Sequence, residues 1–240
     1  MKTILLKISG EIFNTQKASS TDGAFSLNKD LIKNIAKQIK ELQKKYNIGI
    51  VIGGGNIFRG GINGKQLEIT QTTSHQIGML ATIINATLFK SFLENEKIKC
   101  SHLCSFYCPQ ITKIINQNNI DEALTKKECI IFSGGTGNPF FTTDTTATLR
   151  ALQINADIVL KATKVDGIFD SDPEKNKNAK LIKKISFDDF IKNNLKVIDL
   201  TAITLAKENN LKIKIFNLFE NNSIIKAVKE KNFGSLIEKE

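Results

Sequence analysis

The stretch "FSGGTGNPFFTTDTTATLRA", residues 132–151, decides the fold. An apolar run, Cys129 to Phe132, breaks into glycines. Asn138 and Pro139 follow, then two phenylalanines and a crowd of threonines around one aspartate. From residue 142 onward the spacing turns helical. A buried strand, a glycine loop and a helix in that order form one unit of a parallel α/β sheet, whose ligands sit at the carboxyl ends of strands. Gly134, Gly135 and Gly137 open the backbone, while Thr136, Asn138, Thr142, Thr143 and Thr145 offer hydroxyl or amide partners. Asp144 suits either a cap of the following helix or the ordering of a lysine or a magnesium-bound phosphate. Phe140 and Phe141 suit packing on a base or in a core.

The same alternation extends in both directions. "TILLKIS" (3–9), "IGIVI" (48–52), residues 98–104, "CIIF" (129–132), "DIVLKAT" (157–163) and "KIKIFNL" (212–218) read as strands. Helices are expected over 27–46, 72–95, 118–126, 142–154, 186–193, 199–209 and 221–230, and a polar loop or hairpin over 14–26. The expected fold class is α/β, a largely parallel sheet covered by helices on both faces.

Composition fits a globular chain: 240 residues, 41% hydrophobic and 24% charged, which argues against disorder. The apolar run in "MKTILLKISGE" is too short for a signal peptide, and no stretch nears ~18 uninterrupted apolar residues. A cytoplasmic location is the expectation. The net charge of +10 raises the question of nucleic acid. The excess is almost all lysine spread along the chain, so no nucleic-acid partner and no membrane partner is expected. Arg59 and Arg150, the two arginines, stand out, because a bidentate phosphate contact prefers Arg. "CSHLCSFYC" places Cys100, His102, Cys104 and Cys108 together, but a zinc site needs a second ligand pair further on. These cysteines read as reduced thiols, with no protein metal site.

Two further loops fall at strand ends: "KISGE" (7–11) and "GGGNIFRG" (53–60). Glycine lets backbone N–H groups turn toward an anion, and Lys7 and Arg59 bring positive charge to the same edge. Neither a P-loop nor a G-x-G-x-x-G is present. A fourth segment, "LKATKVDGIFDSDP" (160–173), ends a strand at Lys161 and turns at Asp166-Gly167. It lacks the glycine of a calcium loop.

"LLKISGE", "VIGGGNIFRG", "GMLAT", "GGTGNPFFTTD", "LKATKVDGIFDSDP" and "IDLTA" together resemble the bacterial UMP kinases, a branch of the amino-acid-kinase family. The resemblance runs from Lys2 to about Ile237. It implies a three-layer α/β/α sandwich, a single domain over 1–240, with UMP bound by roughly 1–150 and ATP by roughly 151–240. It implies transfer of the ATP γ-phosphoryl group to UMP, a step of pyrimidine nucleotide biosynthesis. Mg2+ would be bound mainly through the ATP phosphates, UTP would inhibit, and six copies would assemble. By motif position, Lys7, Ile8, Ser9, Gly10, Gly55 and Arg59 would face the ATP phosphates, and Thr163, Phe169 and Asp172 the rest of ATP. Gly54, His75 and the run Thr136, Gly137, Asn138, Pro139, Phe140, Phe141, Thr142 and Thr143 would hold UMP. Lys7 would stabilise the transferring phosphoryl with Lys161 in support, and Asp144 and Asp199 would order the lysines and metal-bound phosphates.

The chain departs from the family pattern in two places. His75 stands where an Asp usually contacts the UMP ribose, and Gln71 stands where an Arg is common. A neutral imidazole accepts one hydrogen bond where a carboxylate accepts several. An exposed, merely tolerated His75 is the bland alternative. Lys90, Glu94 and Ser101 replace the basic cluster of GTP-activated members, so GTP activation is expected to be weak or absent. Two other functions stay open on sequence alone: a related kinase of another small acceptor, and a nucleotide-responsive regulatory protein on this fold.

Overall fold

The computed structural model describes residues 1–13, 28–171, 173, 175, 176 and 178–239. The loop expected over 14–26 and the ATP-site candidate Asp172 lie outside the described residues. In chain order the elements are β1 (Lys2–Ile8), α1 (Lys29–Gln43), β2 (Tyr46–Ile52), α2 (Gly60–Gln66), α3 (Gln71–Asn95), β3 (Cys100–Cys104) and β4 (Lys113–Ile114). Next come α4 (Gln117–Thr125), β5 (Cys129–Ser133), α5 (Thr143–Gln153), β6 (Ile158–Thr163), β7 (Ile168–Phe169), β8 (Leu181–Ile182) and β9 (Lys184–Ser186). The chain closes with α6 (Phe187–Lys192), α7 (Leu200–Glu208), β10 (Lys212–Asn217), α8 (Ser223–Lys229) and β11 (Ser235–Glu238).

Among the described residues, nine strands form one sheet in the order β4-β3-β5-β2-β1-β6-β10-β11-β9, and β7 and β8 pair separately as a small hairpin. Every pairing in the large sheet is parallel except β10 with β11. Because side chains alternate along a strand, β1 feeds two cores. Ile4, Leu6 and Ile8 join Ile32 and Ile39 of α1, Phe89 of α3 and Ile224 of α8 on one face. Leu5 joins Ala147 and Ala151 of α5, Phe190 of α6 and Ala206 of α7 on the other. This is the expected three-layer sandwich.

The helices begin where the sequence supplies caps. Asn28, Thr70, Thr142 and Asp199 each accept a hydrogen bond from a backbone N–H in the first turn of α1, α3, α5 and α7. The helix expected over 27–46 is shorter, ending at Gln43, because Tyr46 already pairs with Lys2 in the sheet. Helix α3 has the length and mean hydropathy of a membrane span. Its Met79, Ala86, Phe89 and Leu93 are instead buried in the protein.

Candidate active site

Register places the charged centre. Lys7 of β1 lies directly opposite Lys161 of β6, so both side chains leave the same sheet face at the carboxyl end. Two ammonium groups side by side need an anion, and Asp144 in the first turn of α5 supplies it. Its Oδ1 lies 2.9 Å from Lys7 Nζ, and its Oδ2 accepts a hydrogen bond from Lys161 Nζ. The Lys7 contact is ionic rather than a well-aligned hydrogen bond. Burial pushes the Asp144 carboxyl up, but Lys7 and Lys161 outweigh it and hold the group below its ordinary range. Burial lowers the Lys161 pKa, with Asp144 and Asp199 opposing and Lys7 adding to the effect. Asp144 therefore takes the lysine-ordering role. The cap of α5 is Thr142, whose hydroxyl accepts from the Asp144 amide at 3.0 Å.

Asp199 does something else. Its carboxylate caps α7 through Ala202 N at 2.7 Å and accepts from the Thr142 and Thr145 hydroxyls. It joins α5 to α7, and it makes no ion pair with either lysine among the described residues. It still raises the Lys161 pKa through its charge.

A cleft of ≈ 500 Å³ opens above this centre. Its walls include Lys7, Ser9, Gly10, Gly55 and Arg59, expected from sequence to face phosphates, and Gly54, expected to hold UMP. His75, Phe141, Thr142 and Thr143 line the same space. His75 is thus part of the cleft wall rather than an idle exposed position, and its ring lies 5.1 Å from that of Phe140. Phe140 is mostly exposed and has φ +71°, a left-handed conformation that is strained for a non-glycine residue. Thr136, Gly137, Asn138 and Pro139 form the turn leading to it, with Thr136 Oγ1 accepting from the Asn138 amide at 3.1 Å. That turn stands outside the cleft lining. The Ile8 side chain is fully buried in the core, and its carbonyl accepts from Gly53 N at 2.9 Å.

The two glycine loops are fixed by residues the sequence reading missed. Asn85, buried in α3, donates to Gly53 O and to Asn56 Oδ1, both at 2.7 Å. A Cβ on Gly10 would lie 2.3 Å from Asn56 Oδ1 and 2.4 Å from Gly53 O, so only glycine fits there. Glu11 pairs with Arg59 through one oxygen and with Lys164 at 2.6 Å through the other. An asparagine inside the mostly apolar run "MLATIINATLF" of α3 was the signal available for Asn85.

A second cavity of ≈ 410 Å³ lies between residues 165–171 with Pro173 on one side and 193–197 on the other, with Phe169, Leu195 and Val197 among its walls. Thr163 is not in its lining; its hydroxyl donates to Val165 O at 2.8 Å and shapes the turn. Lys161 Nζ also donates to Val197 O at 2.6 Å, tying this cavity to the charged centre. Segment 193–197 carries no motif glycine or charge pattern and was not legible in sequence.

The four cysteines are free thiols. No cluster of three potential ligands occurs among the described residues. His102 instead shares a hydrogen bond with Ser133 Oγ at 2.8 Å.

The profile of the amino acid kinase family matches residues 2–217. The chain is 40% identical over 238 residues to a uridylate kinase of Mycoplasma pneumoniae, covering 98% of each chain. It is 44% identical over 230 residues to a uridylate kinase of Mycoplasmoides gallisepticum, covering 95% of each. The crystal structure of UMP kinase from Ureaplasma parvum superposes with a TM-score of 0.91 at 35% identity, covering 99% of each chain. With its sheet order, its lysine-aspartate centre and these likenesses, the chain belongs to the amino acid kinase family.

Proposed function

We infer that the chain is a UMP kinase, which transfers the γ-phosphoryl group of ATP to UMP. The observation that carries the reading is the Lys7–Asp144–Lys161 centre, joined to one cavity by Lys7 and to the other by the Lys161–Val197 bond. The attacking group is already a phosphate oxygen, so the reaction needs no general base. It needs charge neutralisation and in-line positioning. Lys7 faces the cleft and supplies the first. Lys161 acts behind it, holding Asp144 and the wall of the second cavity. The second cavity takes the ATP base and ribose, with Phe169 alongside. The glycine loops at 9–10 and 53–55 take the phosphates, and the cleft between His75 and Phe141 takes UMP.

Acceptor binding thus falls in roughly 1–150 and the ATP nucleoside in 151–240. Mg2+ enters with ATP as part of the substrate, and among the described residues the site offers the buried Asp144 carboxylate with no cluster of three ligands. UTP as an inhibitor and a homo-hexamer follow from the family reading. The exposed Leu80 and Ile84 on α3 are suited to a second copy. GTP activation stays weak in this reading: Lys90 pairs with Glu94 at 3.4 Å and Ser101 donates to Glu128.

The test is a panel of UMP, CMP, dUMP and AMP with MgATP. The reading expects turnover with UMP far above the others. Equal or faster turnover of another acceptor would overturn it.

A further inference from the structure

Arg150 sits in the last turn of α5 and is only 5% exposed. No carboxylate pairs with it among the described residues. A buried cation without a counter-ion costs several kcal/mol unless other groups compensate. The compensation here is specific. Nη2 donates to Gly135 O at 3.1 Å and to Ser105 Oγ at 2.8 Å, and Ser105 Oγ itself donates to Gly135 O at 2.8 Å. Nη1 donates to Gln153 at 2.6 Å, the guanidinium carbon lies 6.0 Å from the Phe132 ring centroid, and Nε has no partner among the described residues. Thus two donors converge on one carbonyl of the glycine turn from behind.

That carbonyl matters because of peptide geometry. In a trans peptide the C=O and the following N–H point in opposite directions. Holding Gly135 O toward the protein interior turns the Thr136 N–H outward. Gly134 and Gly135 both have left-handed φ, +74° and +60°. The Gly134 amide is taken by Thr82 Oγ1 and the Gly137 amide by Gly134 O. The amides of Gly135 and Thr136 have no protein partner among the described residues. Two unpaired N–H groups on a left-handed glycine turn make a concavity for oxygen anions or carbonyls.

We propose that Arg150, with Ser105, is a positioning residue for the acceptor nucleotide: it clamps the Gly135 carbonyl and so aims the Thr136 amide outward to bond an oxygen of UMP. This rests on the UMP kinase reading. Arg150 touches no substrate itself. A purely packing role would need no guanidinium, since an apolar chain of similar length would fill the space against Phe132 without the burial cost.

The experiment compares wild type with Arg150→Lys and Ser105→Ala by steady-state kinetics, varying UMP and MgATP separately. Lysine keeps the charge but loses the planar fork that reaches both partners. The expected result is a KM for UMP raised about tenfold in Arg150→Lys and about threefold in Ser105→Ala, with KM for ATP within about twofold of wild type. Guanidinium added to Arg150→Ala should restore part of the UMP affinity. Unchanged KM for UMP in both soluble variants, or equal rises for both substrates, overturns the proposal. If Arg150→Lys fails to fold, Ser105→Ala decides alone. A wild type that phosphorylates a different monophosphate sinks the UMP reading, and the ratios are then taken on that acceptor. A wild type that accepts none sinks both.

Discussion

At the scale of single residues, Asp144 carries the most. It is the buried anion between Lys7 and Lys161, and removing its charge leaves two cations facing each other in a poorly solvated site. Asp144→Asn should therefore cost about 3–5 kcal/mol of stability as well as activity. A thermal melt that matches wild type would contradict the assigned charge balance. His102 offers a pH test away from the chemistry. Burial, aided by the charge of Lys90, lowers its pKa from 6.5 to about 4. Between those values the unfolded chain binds a proton that the folded protein refuses. The contribution is whole above pH 6.5 and is lost as pH falls to about 4. It amounts to on the order of 3 kcal/mol. Denaturant titrations of wild type and His102→Leu should diverge in pH dependence across that window, with the variant flatter. Parallel curves would mean that His102 is solvated.

At the scale of elements, the β5–loop–α5 unit was legible because each part has a local physical signature. Cys129 to Phe132 form an unbroken apolar run, Thr142 is a capping residue, and the glycines between them adopt positive φ. Helix α2 was not legible: three glycines and an asparagine in "GGINGKQ" give it low intrinsic propensity. It forms because the Arg59 amide bonds Asn63 Oδ1 at 2.7 Å and Gly64 packs against Ser74 of α3. The edge strand β9 and its neighbour β11 are three and four residues long, too short for periodicity to show. The loops at 10 and 53–56 depend on close backbone approach and on Asn85, which bonds Gly53 O and the Asn56 side chain. Gly10→Ala should lower stability by about 1–3 kcal/mol and impair turnover, as the new Cβ displaces Gly53 or Asn56. Wild-type activity in that variant would show that the two loops can separate freely.

At the scale of the whole molecule, the sheet order explains why distant motifs meet. β1 is central, with β2 on one side and β6 on the other, so "KISGE", "GGGNIFRG" and "LKATKVDG" emerge at neighbouring strand ends. The sequence could name those loops because strand ends in parallel sheets share one edge. It could not tell that Asp199 serves the α5–α7 junction, because a carboxylate before a helix reads alike as cap or as site. Nor could it tell that Arg150, one of its two conspicuous arginines, faces inward, since burial of a cation has no local pattern. The Lys7–Asp144 ion pair lies where these strand ends converge.

The measurement that tests it most directly follows the label from γ-labelled ATP into UDP, for wild type and Lys7→Ala side by side with Mg2+ present. The account predicts rapid label transfer to UMP by wild type. It predicts a fall of about a hundredfold or more in kcat for Lys7→Ala with little change in KM for UMP. Label transfer at the wild-type rate by Lys7→Ala would contradict it.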